Sequence, residues 1–182
     1  EGTNRFYQTH LTIPGKFDVM GVTIAGGPGM SIGFNKDVAW THTVSTDRHF
    51  TLFELALDPA DPTAYLVDGK RHAMDRKDVT IDTPTGPQTR PFYTTSYGPL
   101  VVMPQAGLTW NTKTAYALRD ANRGNSNSSD TWLRIARAKS VGEIKQAIEQ
   151  TLGIPWVNTI AADRHGQALY ADITATPNVS AQ

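Results

Sequence analysis

The sequence predicts an α+β fold built mostly from antiparallel sheet, with two helices late in the chain. Before residue 122, short segments rich in aromatic and β-branched residues alternate with turns of Pro, Gly, Asp and Asn. Residues 130–152 instead carry the apolar 3.6-residue period of amphipathic helices, and strand-like segments return after residue 155. A run of strands followed by a group of helices is typical of an α+β protein.

The strands of the first part are bounded by specific turn residues. Asp68-Gly69 is typical of a type I′ turn, in which both central residues have positive φ. Asp58–Pro62 predicts a stop between strands, and Gly26–Gly29 a break, because proline removes a ladder donor and glycine tolerates positive φ. The predicted strands are Phe6–Ile13, Phe17–Ile24, Ser31–Phe34, Val38–Ser45, His49–Leu57, Tyr65–Val67, Lys70–His72, Val79–Thr83, Arg90–Tyr97, Leu100–Met103, Leu108–Trp110 and Thr114–Leu118.

The two helices have recognisable ends. Asp130 is the predicted N-cap of the first helix, and Ser140 with Glu143 forms a capping box that starts the second. Gly153, followed by Pro155, predicts the end of the second helix. A last hairpin is predicted from Trp156–Ala162 and Ala168–Thr174.

A length of 182 residues suits one domain or one large piece of a bigger protein. We expect a single partial domain over 1–182, with a hairpin-rich insertion at 58–120 and a helical pair at 130–152. So few helices can cover only one face of so many strands, and we expect the other face to need more chain.

Composition excludes several partner classes. The 17 basic residues balance 17 acidic ones, so the chain has no net positive charge that would attract nucleic acid or an anionic membrane surface. No apolar run approaches the roughly 20 residues that span a bilayer. The sequence has no cysteine, which excludes disulfides and cysteine-ligated zinc.

Short catalytic and metal motifs are weak in this sequence. Ser31 lacks the Gly-x-Ser-x-Gly context of a hydrolase nucleophile. His42, Asp47 and His49 lack the convergent spacing of a zinc site, and Gly26–Gly29 lacks the Lys-Ser/Thr that follows a phosphate-binding loop. The residues therefore predict no metal and no cofactor.

Longer motifs point to a family. The chain resembles part of the β-subunit of the penicillin-amidase family of N-terminal-nucleophile hydrolases. Within it, the chain is most similar to acyl-homoserine-lactone acylases and aculeacin-type lipopeptide acylases. The motifs that carry the resemblance are Arg5–Leu11, Asp18–Gly21, Ile32–Phe34, Ala39–Val44, Leu57–Pro59, Tyr65–Gly69, Tyr97–Leu100, Ala115–Asn122 and Ile154–Asp163.

The resemblance implies part of an αββα fold and acyl transfer from an amide to an N-terminal serine. The serine's own α-amino group acts as base, since an α-amine titrates at about 7.7–8.0. In this family a backbone N–H and an asparagine side chain stabilise the oxyanion, and the backbone donor matches Val44. The positions that match lining residues of the apolar acyl pocket are Ile24, Ser31, Ile32, Trp156 and Val157.

The same resemblance implies that the nucleophile lies upstream of Glu1 and the catalytic asparagine downstream of Gln182. We therefore expect an inactive fragment of a periplasmic or secreted amide hydrolase for an acyl-homoserine lactone, a penicillin or cephalosporin, or a lipopeptide. Its partners would be the N-acyl substrate and the remaining α- and β-subunit segments, and the isolated fragment is expected to self-associate through uncovered sheet. Two alternatives stay open: a non-catalytic β-rich binding module on the same scaffold, and an ordinary domain with a sugar or peptide cleft.

Overall fold

The computed structural model describes residues 5–24, 26–27 and 29–178. The chain divides into two compact units, residues 1–49 with 124–176 and residues 50–123 with 177–182. Pro28, in the predicted Gly26–Gly29 break, and the last four residues of the chain lie outside the described residues. The segment 58–120 lies within the second unit, and its description as an insertion in a single domain stays a prediction.

Thirteen strands and two α-helices are formed within the described residues. The helices are α1 (Ser128–Arg137) and α2 (Val141–Thr151). The strands are β1 (Phe6–Ile13), β2 (Phe17–Ile24), β3 (Ile32–Phe34), β4 (Val38–Val44), β5 (Phe50–Asp58), β6 (Asp61–Val67), β7 (Lys70–Ala73), β8 (Asp75–Thr83), β9 (Gly86–Thr95), β10 (Gly98–Pro99), β11 (Thr114–Asp120), β12 (Val157–Asp163) and β13 (Ala168–Ala171).

The first unit contains a six-stranded antiparallel sheet with the strand order β1-β2-β3-β4-β12-β13. The bounds of β1 and β2 equal the predicted ones, because Pro14-Gly15 closes their hairpin and Gly15 has the positive φ that the turn needs. The predicted last strand reaches Thr174, whereas β13 ends at Ala171. Beyond that point Asp172 and Ala175 bond to the loop after β4 instead of continuing the ladder.

Both helices pack on the inner face of this sheet. Their buried side chains meet Val19, Trp40 and Ala161 from β2, β4 and β12. The opposite, outer face exposes Phe34, Ile160 and Tyr170, of which the last two are direct partners across β12 and β13. An exposed apolar sheet face of this kind is a surface for association.

The helix ends correct some of the predictions. α1 begins at Ser128 with Asn127 at the N-cap position, and Asp130 lies inside its first turn, where the carboxylate accepts a hydrogen bond from Arg134. α2 begins as predicted, since the Ser140 hydroxyl accepts from the Glu143 N–H, but the Glu143 carboxylate accepts from the Lys139 N–H instead of closing the capping box on Ser140. The C-cap of the helix is Leu152, which adopts the left-handed conformation that was expected of Gly153.

Gly153 is required for packing instead of helix termination. A Cβ atom at this position would overlap the Thr131 hydroxyl of α1 and lie 2.6 Å from the Asn127 carbonyl oxygen. Both contacts are with the start of the neighbouring helix, so the glycine allows the end of α2 to approach it closely.

The second unit has a four-stranded sheet with the order β11-β5-β6-β7 and a three-stranded sheet with the order β10-β9-β8. The predicted type I′ turn is confirmed, because Asp68 and Gly69 have φ of 50° and 73°. Within Asp58–Pro62 only two residues separate β5 from β6, because β5 ends at Asp58 and β6 begins at Asp61. Pro62 lies in β6 beside a register irregularity, where the missing N–H donor of proline is tolerated. The core of this unit is formed by Leu55, Leu57, Tyr65, Met74, Ala115 and Ala117.

Two predicted strands of this unit are wrong. Leu100–Met103 and Leu108–Trp110 form isolated bridges, Leu100 with Ala117 and Met103 with Leu108. Pro104 starts a 3₁₀ helix between them, and Gly107 leaves that helix with a φ of 75°. The fixed φ of proline and the left-handed glycine make a tight turn that the strand-like composition did not reveal.

Candidate active site at one end of the six-stranded sheet

The positions predicted by resemblance converge on one end of the six-stranded sheet. Ile24 ends β2, Ile32 begins β3, Val44 ends β4 and Val157 begins β12. Val44 pairs directly with Val157, and Ile32 pairs with Val22, two residues before Ile24. Strand ends from four neighbouring strands thus meet at one edge of the first unit.

At this end of the strands, the side chains of these residues are divided between the two faces of the sheet. Val157 packs against the inner core, and Val44 stands directly opposite it. Ile24 has the parity of Met20 in β2, opposite to that of the core residue Val19, and therefore faces outward. Val44 and Val157 are therefore direct cross-strand partners, whereas Ile24 and Ile32 lie on the neighbouring strands β2 and β3.

The Val44 N–H points away from β12. Ser45, which stands opposite Trp156 in the same register, donates its N–H to the Trp156 carbonyl at 2.9 Å. Hydrogen-bonded and non-hydrogen-bonded pairs alternate in an antiparallel ladder, so Val44 and Val157 form a non-hydrogen-bonded pair. The β3–β4 pairs on the other side end at Trp40. Val44 itself is 78% exposed.

An open apolar cavity of about 490 Å³ lies beside Ile24. The sequence predicted Ile24 as a pocket residue but did not predict Tyr7, Leu11 and Met30, which also line it. The alternation of Tyr7, Thr9 and Leu11 along β1 is the signal that could have indicated a shared face. The complete lining is Tyr7, Thr9, Leu11, Thr23, Ile24, Gly26, Gly27, Gly29 and Met30.

A second cleft of about 510 Å³ lies at the opposite end of the same sheet. It is lined by the turn between β1 and β2, the turn between β3 and β4, and the end of α1. None of the residues predicted for the acyl site lines it, so its size does not make it the candidate active site.

The two histidines considered as metal ligands bond to main-chain carbonyls. His42 Nδ1 lies 3.1 Å from the Asn158 oxygen, and His49 Nδ1 lies 2.9 Å from the Ala175 oxygen. Among the residues that the structure describes, no group of three or more His, Cys, Asp or Glu side chains could hold a metal ion. Neither α1 nor α2, the helices of the described residues, is long and apolar enough to cross a bilayer.

His42 is the titratable group with a perturbed pKa next to the site. Burial lowers its pKa below the usual 6.5, and the hydrogen bond with Asn158 opposes that shift. The ring also packs edge-on against Trp132, with 5.3 Å between the ring centroids. His42 is therefore a neutral imidazole at neutral pH, two residues before Val44 on the same face of β4.

This pKa predicts how stability depends on pH. Because the folded-state pKa lies below the unfolded value of about 6.5, the unfolded state takes up a proton first as the pH falls. We expect the free energy of unfolding to be constant above that value and to decrease below it, by at most about 1.4 kcal/mol per pH unit from this group.

Urea unfolding at pH 7.5 and 5.5 measures the difference in the free energy of unfolding between the two pH values. His42→Asn, which can still donate to the Asn158 carbonyl, should reduce it. An unchanged pH dependence in this variant would contradict the prediction.

The fold is that of a solved acylase. The structure superposes on the thermostable penicillin G acylase of Alcaligenes faecalis with a TM-score of 0.77 and 21% identity, over 96% of this chain and 30% of that one. That likeness defines the class of fold, the scaffold of penicillin G acylase.

Sequence comparison identifies the family within this class. The family model described as penicillin amidase matches residues 1–182, and the chain belongs to that family. It is 46% identical over 180 residues to the aculeacin-A acylase of Actinoplanes utahensis and 47% identical over 184 residues to the acyl-homoserine lactone acylase PvdQ of Pseudomonas fluorescens Pf-5. It is also 30% identical over 165 residues to the penicillin G acylase of Escherichia coli.

The first two matches cover 99% and 98% of this chain but only 23% and 24% of the relatives. The chain thus spans about a quarter of the length of the curated relatives that it matches. The roles of Val44, Ile24, Ser31, Ile32, Trp156 and Val157 stay predictions.

Proposed function

We propose that this chain is a segment of an enzyme that hydrolyses the amide bond of an N-acyl substrate. The substrate class is an acyl-homoserine lactone, a penicillin or cephalosporin, or a lipopeptide. The reaction passes through an acyl-enzyme on an N-terminal serine that is not part of this sequence. The observation that carries the proposal is the Val44 N–H, which is turned away from β12 at the strand end beside Trp156, in a residue that is largely exposed. Support comes from acylases 46–47% identical over nearly the whole chain.

The role proposed for Val44 is to donate its N–H to the oxygen of the tetrahedral intermediate. Attack on an amide carbonyl converts it into an oxyanion, and a fixed main-chain N–H stabilises that charge without reorganising during the reaction. Losing one such donor typically raises the barrier by about 2.7–4 kcal/mol. The side chain of Val44 takes no part in this step.

The cavity beside Ile24 is proposed to receive the acyl chain. Its lining includes the apolar residues Leu11 and Met30, and its volume of about 490 Å³ is in the usual range for small-molecule sites. Gly29 in its wall packs against Trp132, which in turn packs edge-on against His42. This chain of contacts leads from the cavity to the strand that ends at Val44.

The remaining segments of the enzyme are proposed to cover the outer face of the six-stranded sheet. Phe34, Ile160 and Tyr170 are exposed there, at a cost in free energy that burial against another apolar surface would remove. The isolated chain is therefore expected to self-associate. Light scattering that shows a stable monomer over a wide concentration range would contradict this expectation.

A periplasmic or secreted location is part of the same proposal, and cell fractionation checks it.

Hydrolysis assays on the complete protein that contains this chain test the proposal. Purified enzyme is mixed with N-acyl homoserine lactones of short and long chain, with penicillin G and with a lipopeptide, and the released amine is quantified. We expect release from at least one class, with a burst of acyl-enzyme. A folded complete protein that releases amine from none of them would overturn the proposal and favour the non-catalytic binding module.

A further inference from the structure

The segment after β13, residues 172–175, is bonded to the loop that follows Val44. We call this segment the strap. The Ser45 hydroxyl donates to the Asp172 carboxylate at 2.7 Å, and His49 Nδ1 bonds to the Ala175 carbonyl at 2.9 Å. Ser45 and His49 are both buried. The strap thus holds the loop of residues 45–49 at its first and its last residue.

Ser45 is held through both its main-chain N–H and its hydroxyl. Its N–H donates to the Trp156 carbonyl, and its hydroxyl oxygen also accepts from the Asp47 N–H at 3.2 Å. The Asp172 carboxylate is itself oriented, because its other oxygen accepts from the Thr174 hydroxyl at 3.0 Å. The peptide unit that joins Val44 to Ser45 is therefore held both by β12 and by the strap.

We infer that Asp172, acting through Ser45, is a positioning residue for the Val44 N–H. This inference rests on the proposed function, because it concerns the same oxyanion donor. The Val44 N–H lies in the peptide unit that joins Thr43 to Val44. Val44 is the last residue of its strand and the β3–β4 pairs end before it, so this unit lies at the end of the ladder, and the anchored Ser45 that follows helps to hold that strand end in place. A donor contributes to the transition state only if it is already aimed at the developing charge. The strap supplies that constraint from a point 127 residues further along the chain.

Kinetics of variants of the complete enzyme test the inference. Ser45→Ala and Asp172→Ala each break the hydrogen bond to the strap. Thr46→Ala is the matched control, since it removes a neighbouring hydroxyl that is exposed. Asp172→Asn is the rescue, because its side-chain oxygen can still accept from Ser45. Rates are expressed per active site by titration, so that loss of folded protein does not count as loss of kcat.

We expect Ser45→Ala and Asp172→Ala to lower kcat by about 10- to 100-fold with KM changed less than about twofold, since complete loss of such a donor costs about 10²–10³ in kcat. Asp172→Asn should recover most of the rate, and Thr46→Ala should match the unsubstituted enzyme. A Ser45→Ala variant with unchanged kcat per site, or with an effect confined to KM, overturns the positioning role alone. An unsubstituted enzyme that hydrolyses no amide overturns the proposed function, and the positioning role falls with it.

Discussion

Replacing Val44 by proline in the complete enzyme is expected to lower kcat for amide hydrolysis by about 10²–10³-fold, the loss typical of one oxyanion donor. Proline removes the N–H and keeps a small apolar side chain. Because the N–H of Val44 is not used in the ladder with β12, its removal should leave the pairing of β4 intact. Proline also restricts the preceding residue to extended backbone, which Thr43 already adopts in the strand.

Val44→Ala is the control for this prediction. It shortens the exposed side chain and retains the main-chain N–H, so kcat should stay within about twofold of the original. Circular dichroism and active-site titration show whether both variants are folded. Equal activity of the proline and alanine variants would exclude the main-chain N–H of Val44 as a donor.

Ile144→Ala is expected to lower the free energy of unfolding by about 2–5 kcal/mol. Ile144 lies in α2 with 0% of its surface exposed, within the cluster between the two helices and the inner face of the sheet. Truncation removes buried methyl and methylene groups and leaves a cavity, because neighbouring side chains relax only in part. This is the largest stability effect that we predict.

Leu133→Ala in α1 is the matched control, since Leu133 is 42% exposed. Its truncation should cost less than about 1 kcal/mol, because surface substitutions rarely cost more. Urea unfolding followed by tryptophan fluorescence measures both variants. Similar losses for the two variants would mean that α2 does not pack on the sheet as described.

Local sequence signals predicted much of the first unit and less of the second. Pro14-Gly15, Asp68-Gly69 and the Ser140 N-cap each have a conformational reason that acts over a few residues, and each is confirmed. The strands predicted on either side of Pro104 are wrong because these segments are as apolar as strands but form only isolated bridges, one of them across the 3₁₀ turn itself. The prediction of Asp130 as N-cap failed because α1 begins earlier, at Ser128, so Asp130 lies inside the first turn.

The candidate site could be predicted only in part. A main-chain N–H has no residue type, so composition and spacing alone could not indicate Val44, and the family resemblance was needed. The hydrogen bond between Ser45 and Asp172 joins residues that are far apart in sequence and belong to no motif. Contacts of this kind follow from the register of the whole sheet, which local patterns do not determine.

A crystal structure of the complete enzyme with a transition-state analogue, such as the boronic acid of a substrate acyl group, tests the central claim most directly. The oxygen that represents the oxyanion should lie about 2.7–3.1 Å from the Val44 nitrogen, with the acyl chain in the cavity beside Ile24. An analogue whose oxygen is held by other donors, with the Val44 N–H out of reach or bonded within the protein, would contradict the account.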